Sequence, residues 1–271
     1  MLIPLQTCIN SDLEACTLGI LPLVHTQTMD IIEKEYKEVL KPLEKCDIFE
    51  EYLTYLYYGV PLYRHKDMTI DNLPVCLLLE AKKIQAYKMY PMDTGAFHGQ
   101  PMGRGDEMEG FFEALGQPAK QSIALFELSY DYDNVRRYIL TFFGSNMKYC
   151  ASECNLELDN GLSVQSPNDL VFQCFYKMLT ANLKKLDNRC KIIEVSTKVE
   201  YPLADIIHNV VWPTELLARY YSLEWSSKNN TPIEYDTTCA YDDETFVSNI
   251  YEATKEYYSQ SGLFKRANNA Q

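Results

Sequence analysis

The chain has 271 residues, with 25 Lys or Arg against 38 Asp or Glu, a formal net charge of −13. Phosphate contacts supply most of the affinity of proteins for nucleic acid, so a chain this acidic is excluded as a general DNA or RNA coat. A confined basic cleft stays open to it, because screening limits charge effects to roughly 8–10 Å. Apolar residues make up 46 %, enough for a packed core and too many for a disordered chain.

The nine cysteines form no CxxC pair and no Cys/His cluster at zinc spacing, which reads as reduced thiols and no metal site. The opening MLIPLQTCINSDLEACTLG lacks the basic start and apolar core of a secretory signal. No apolar run reaches the roughly 20 residues that span a bilayer. A cytoplasmic protein without membrane contact is expected. The 21 tyrosines read first as packing residues, though tyrosine can also stack and hydrogen-bond in a ligand cleft.

In chain order, Ile20 to Val24 is a short apolar run that predicts a strand, ending at His25-Thr26-Gln27-Thr28. A helix should follow, with Thr28 at the capping position and Ile31, Ile32, Tyr36, Val39 and Leu40 near helical spacing. Pro42 lies just past its end. Residues 47–58 suit either helix or strand and are broken by Gly59-Val60-Pro61. Pro74 to Leu79 predicts a buried strand and 84–90 a second. Pro91 to Gly99 is turn-rich, and 99–110 is expected to be a loop. Ile123 to Leu128 and Tyr138 to Phe143 are ordered pieces, 155–168 a loop, and 170–186 a helix. Arg189 to Val195 predicts a strand with Glu194 near its middle. Ile206 to Pro213 predicts another, and Thr214 starts a helix through about Tyr221. The last fifty or so residues read as a peripheral layer with a frayed tail. With no clean linker, residues 1–271 are expected to form a single α+β domain.

HExxH, GxSxG, the P-loop and GxGxxG are all missing. Glu194-x-x-x-Lys198 is near a nuclease ExK, but the spacing is wrong. The informative feature is an ordered set of short segments: LVHTQT at 23–28, YYGVPLYR at 57–64, IIEV at 192–195 and YPLADIIHNVVWP at 201–213.

In that order the segments resemble the ADP-ribosyltransferase superfamily, nearest the DarT-like branch, whose toxin modifies DNA bases. Family members open with a His-x-Thr strand and a helix. A segment similar to Tyr-Val-Pro-Phe-Tyr-Phe follows, with a functional Arg nearby. A late Glu-bearing strand is followed by a Val-Pro turn and a further strand. The likeness covers about a third of the chain. This chain reads His-Thr-Gln-Thr, lacks Ser-Pro-Met after Arg64, and carries PMDTGAFHG without a family counterpart, so the DNA-base substrate is not carried over.

The resemblance implies a split mixed sheet flanked by helices, and NAD as substrate with no metal. Cleavage of the nicotinamide–ribose bond passes through an oxocarbenium-like state, as in glycoside hydrolysis. Glu194 would hold the ribose 2′-hydroxyl and favour charge at C1′. Arg64 would pair with the pyrophosphate or steer the acceptor. His25, Thr26, Gln27 and Thr28 would contact the nucleotide, and Tyr58 or Tyr63 would stack on nicotinamide. Asp93 and Thr94 would close over it or face the acceptor. His65 and His98 take no role. Plainer readings stand beside these: a satisfied core His, a helix cap, a surface ion pair of Arg64 with Asp67 or Asp71, and an Asp that only forms a turn.

The expected function is an NAD-dependent ADP-ribosyltransferase, in the manner of a toxin or anti-phage defence effector. Its acceptor would be a protein or a confined nucleic-acid segment, and its partner an antitoxin. One alternative is an NAD glycohydrolase of the same fold. The other is a non-enzymatic acidic interaction protein, acting as an antitoxin or a nucleic-acid mimic.

Overall fold

The computed structural model describes residues 2, 4–61, 73–97, 119–154, 169–180, 189–228, 231–238 and 243–265. From the N-terminus the strands and helices are β1 (Leu23–Thr28), α1 (Met29–Glu35), β2 (Val39–Leu40), β3 (Lys45–Cys46), β4 (Glu51–Tyr52), β5 (Thr54–Tyr58), β6 (Pro74–Leu79) and β7 (Lys88–Tyr90). Then come α2 (Ala119–Ala124), α3 (Tyr132–Phe142), α4 (Asn146–Cys150), α5 (Leu170–Thr180), β8 (Glu194–Thr197), β9 (Tyr201–Pro202) and α6 (Leu203–Ile206). The chain finishes with β10 (Ile207–Pro213), α7 (Leu217–Tyr220), β11 (Ile233–Tyr235) and α8 (Asp243–Gln260). This is an α+β fold.

Seven strands form one mixed sheet in the order β11-β10-β6-β1-β5-β8-β7. The β10–β11 pair is parallel and the other pairs are antiparallel. The strand β6, next to the central β1, is apolar throughout. All six residues of β6, Pro-Val-Cys-Leu-Leu-Leu, are buried, as a strand covered on both faces requires. Pro74 takes the first position, where a missing N–H costs least.

The pairing of β1 is asymmetric. It matches β6 at all six positions, Leu23↔Leu79 through Thr28↔Pro74. It matches β5 at only two, Leu23↔Tyr58 and Val24↔Tyr57. Beyond Val24 the two strands separate, and the sheet is split there.

Helices cover the sheet with apolar stripes. On α3, Val135, Tyr138, Ile139 and Phe142 recur at helical spacing and are buried. Asp131 caps it, its side chain accepting from the Asp133 N–H. Phe142 meets Phe175 of α5 edge to face, with centroids 5.2 Å apart. Buried tyrosines fasten the end of β5. Tyr149 donates its hydroxyl to the Tyr58 carbonyl at 2.9 Å and accepts from the Ile193 N–H at 2.9 Å. Gly59 follows with φ +66°, and a Cβ there would lie 2.4 Å from Leu21 Cδ1. A side chain there would be strained by the left-handed backbone and would have to push Leu21 aside.

Several expectations change. The helix after Thr28 is seven residues long. Val39 and Leu40 leave it to pair with Pro202 and Tyr201, a partner more than 160 residues away. Thr28 occupies the N-cap position but makes no side-chain capping bond. The second strand is confined to Lys88–Tyr90. Ile123 belongs to a helix that ends at Ala124, and Leu128 bridges Met89. Glu194 opens its strand rather than sitting in the middle. Of the C-terminal residues, β11 forms an edge of the main sheet and Tyr258 of α8 is fully buried. The loops expected at 99–110 and 155–168 lie outside the described residues, as does the end of the helix expected over 170–186.

Candidate functional site

Where β1 and β5 separate, a cleft of ≈ 480 Å³ opens. Its walls include His25, Thr26 and Gln27 from β1, Thr54, Tyr55 and Tyr57 from β5, Tyr36 beyond α1, and Lys45 and Cys46 of β3. That volume falls in the range of small-molecule sites.

His25 stands in the split. In a closed antiparallel ladder the Tyr55 carbonyl would meet a backbone partner. Here His25 Nδ1 lies 3.0 Å from it. A carbonyl can only accept, so Nδ1 carries the proton and Nε2 is left as an acceptor. The ring is 6 % exposed and packs edge to face on Tyr36 at 5.2 Å. Burial lowers its pKa to about 4, against a smaller upward push from the Tyr55 carbonyl. The imidazole is therefore neutral near pH 7. Its Nε2 is buried without a hydrogen-bond partner, and so is Thr54 Oγ1. Two such atoms lining one cleft call for an explanation, because buried polar groups are normally satisfied.

Glu194 lies next to this wall. In register it faces Tyr57 on one side and Tyr90 on the other. Residues opposite each other share a face of the sheet, with Cβ atoms about 4.5–5.5 Å apart. Val24, Tyr57, Glu194 and Tyr90 thus form one row, and Tyr57 lines the cleft. Glu194 itself is 2 % exposed and is not one of the cleft's lining residues. Thr94 holds both its oxygens: the backbone N–H donates to Oε2 at 3.1 Å and Oγ1 donates to Oε1 at 2.6 Å. Asp93 shapes the turn that presents Thr94. Its Oδ1 accepts from the Gly95 N–H at 2.9 Å and its own N–H donates to the Arg189 carbonyl.

The structure therefore gathers His25, Thr26 and Gln27 at the cleft and sets Glu194, Thr94 and Asp93 one strand beyond Tyr57. Thr26 donates to Cys76 Sγ at 3.6 Å. Thr28 is buried outside the cleft wall. Tyr58 faces away from a ligand role: it is fully buried and its hydroxyl accepts from the Leu21 N–H at 3.0 Å, which removes it as a stacking surface. Tyr63, Arg64, His65 and His98 lie outside the described residues. Lys198, the cation of the near-nuclease pattern, pairs with Glu51 and sits 3.7 Å from the Tyr87 ring centroid.

Thr54, Tyr36, Tyr55 and Cys46 are site residues that sequence reading did not single out. Thr54, Tyr55 and Cys46 reach the cleft through strand pairing or a hairpin and Tyr36 through the end of α1, which no local pattern encodes. Among the described residues no group of His, Cys, Asp or Glu could hold a metal ion. No described helix is long and apolar enough to cross a membrane.

No family model matches the chain, and neither the curated proteins nor the solved structures include one that matches it.

Proposed function

We propose that the cleft at the split in the sheet binds NAD and that the protein is an ADP-ribosyltransferase acting in a reduced, cytoplasmic setting. The observation that carries this reading is the neutral His25 imidazole, with Nδ1 committed to the Tyr55 carbonyl and Nε2 unpartnered. Nε2 is an acceptor suited to a ribose hydroxyl. Thr54 Oγ1 offers a second polar contact, and Tyr57 in the cleft wall is the register neighbour of Glu194.

In the reaction, the C1′–nicotinamide bond breaks and nicotinamide leaves with the bonding pair. Positive charge develops on the ribose at C1′. Glu194 stabilises it and holds the 2′-hydroxyl, while a lone pair on the acceptor forms the new bond at C1′ and the acceptor's proton passes to the Glu194 carboxylate or to solvent. Each Glu194 oxygen takes one bond from Thr94 and keeps a lone pair for the ribose hydroxyl, so what the reaction requires is that the buried carboxylate be uncovered towards the cleft. An apolar surrounding strengthens the carboxylate's effect, because little water competes for it.

Labelled NAD provides the test. The wild-type chain should melt at a higher temperature with NAD, since a ligand selective for the folded state stabilises it. Label on a macromolecule indicates transfer, and free ADP-ribose alone indicates hydrolysis. Glu194→Gln should keep its melting temperature, because an amide can still bond to both Thr94 groups, and should lose about 10²–10³-fold in NAD turnover. Equal turnover in that variant removes Glu194 from the reaction.

A further inference from the structure

Cys46 lies on β3, half-buried, in the wall of the same cleft as His25. The Tyr55 hydroxyl donates to its Sγ at 2.6 Å. Tyr55 thus touches both residues, its backbone carbonyl accepting from His25 Nδ1–H and its hydroxyl donating to the thiol. Burial holds the Tyr55 phenol far above its ordinary pKa, and the bond to Cys46 adds to that effect. Tyr55 therefore stays a donor. The phenol points at a sulfur that is itself reachable from the cleft.

Most of the other described thiols are placed differently. Cys8, Cys76, Cys150, Cys174 and Cys190 are buried. Burial pushes Cys76 up to about 12 and raises Cys150, Cys154 and Cys174. Cys16 is exposed, and neither it nor the half-buried Cys154 lines the cleft. Cys46 alone among the described cysteines combines partial exposure with a place in the cleft wall. The unpartnered His25 Nε2 in the same wall is independent evidence that a ligand enters here.

We propose that Cys46 is a thiol-modification site at which a small disulfide of the glutathione class closes the cleft. The Cys46 thiolate attacks one sulfur of the disulfide. An S–S bond forms to Sγ as the original S–S bond breaks, and the second glutathione leaves as a thiolate that takes up the proton. Sγ is oxidised and the departing sulfur is reduced. The adduct displaces the Tyr55 hydroxyl and fills space that a nucleotide would use. That last consequence rests on the NAD reading, whereas the chemistry at Cys46 does not.

The test treats the full chain with glutathione disulfide and maps adducts by peptide mass. Cleft occupancy is followed by the His25 ring resonance. The expected result is an adduct at Cys46 that shifts the His25 signal and is reversed by dithiothreitol. Saturating NAD should slow its formation at least tenfold while leaving Cys16 labelling unchanged. In Cys46→Ser the His25 signal should not respond to the disulfide. Labelling of Cys16 with none at Cys46 overturns the proposal, as does a Cys46 adduct that leaves the His25 signal unmoved. If the adduct forms and moves His25 but NAD neither protects nor raises the melting temperature of untreated protein, the nucleotide reading falls and the thiol site stands.

Discussion

His25 carries the largest consequence of any single residue. Its folded pKa of about 4 lies below the ordinary 6.5, so the unfolded chain takes up a proton first as pH falls. The stability tied to neutral His25 is complete above about pH 6.5 and drains away as pH drops from 6.5 towards 4. At 1.36 kcal/mol per pH unit the full loss is about 3 kcal/mol. His25→Gln can still donate to the Tyr55 carbonyl but does not titrate. Urea denaturation at pH 7.5 and 4.5 should show a smaller acid loss in that variant than in wild type, and equal losses would mean the ring is charged in the fold. Gly59 gives a second prediction at this scale. Gly59→Ala combines a left-handed φ with a clash against Leu21, and should cost more than 1 kcal/mol, read as a lower urea midpoint. The importance of both residues was partly legible in the letters: His25 ends an apolar run, and Gly59 precedes Val-Pro. The Nδ1 bond that fixes the tautomer was not, because Tyr55 is thirty positions away.

Among elements, β8 is held by a tyrosine on a short helix. Tyr149 on α4 accepts the Ile193 N–H and donates to the Tyr58 carbonyl, so one phenol joins the strand that begins with Glu194 to the end of β5. Tyr149→Phe leaves two buried backbone groups without that partner. It should destabilise by about 1–3 kcal/mol in chemical denaturation. NAD turnover should also fall if the position of Glu194 matters. A variant as stable as wild type would show that water or a shifted backbone replaces the phenol. Strand β6 was readable at both ends because a run of six apolar residues after a proline has few other uses. Residues 39–40 were misread because apolar spacing alone fits a helix, whereas their partner Tyr201-Pro202 comes late in the chain. Glu194 stood out as a lone carboxylate after Ile192-Ile193. Thr54 and Cys46 did not, since they become neighbours of His25 only once β1, β3 and β5 are assembled.

At the scale of the molecule, the C-terminal region is structural. β11 pairs with Val211, Trp212 and Pro213 of β10, its Tyr235 hydroxyl donates to the Pro74 carbonyl at 2.6 Å, and Ile250 and Tyr258 of α8 are buried. A chain stopped after Lys228 should lose its cooperative thermal transition instead of shedding a dispensable layer, and circular dichroism against temperature would reveal it. A sharp transition near that of the full chain would return the last forty residues to a peripheral role. Their polar and aromatic composition hid this, because one buried face on a long helix is diluted by its exposed side.

The split beside β1 has a consequence for how the chamber could change over time. One imidazole bridges the two strands there, its Nδ1 taking the carbonyl that the next rung of the ladder would have used. A smaller side chain at position 25 would let the ladder zip onward and erase the hollow, and a bulkier one would pry it wider. Position 25 is thus a point where a single substitution bears on the shape of the opening through the one bond that spans it.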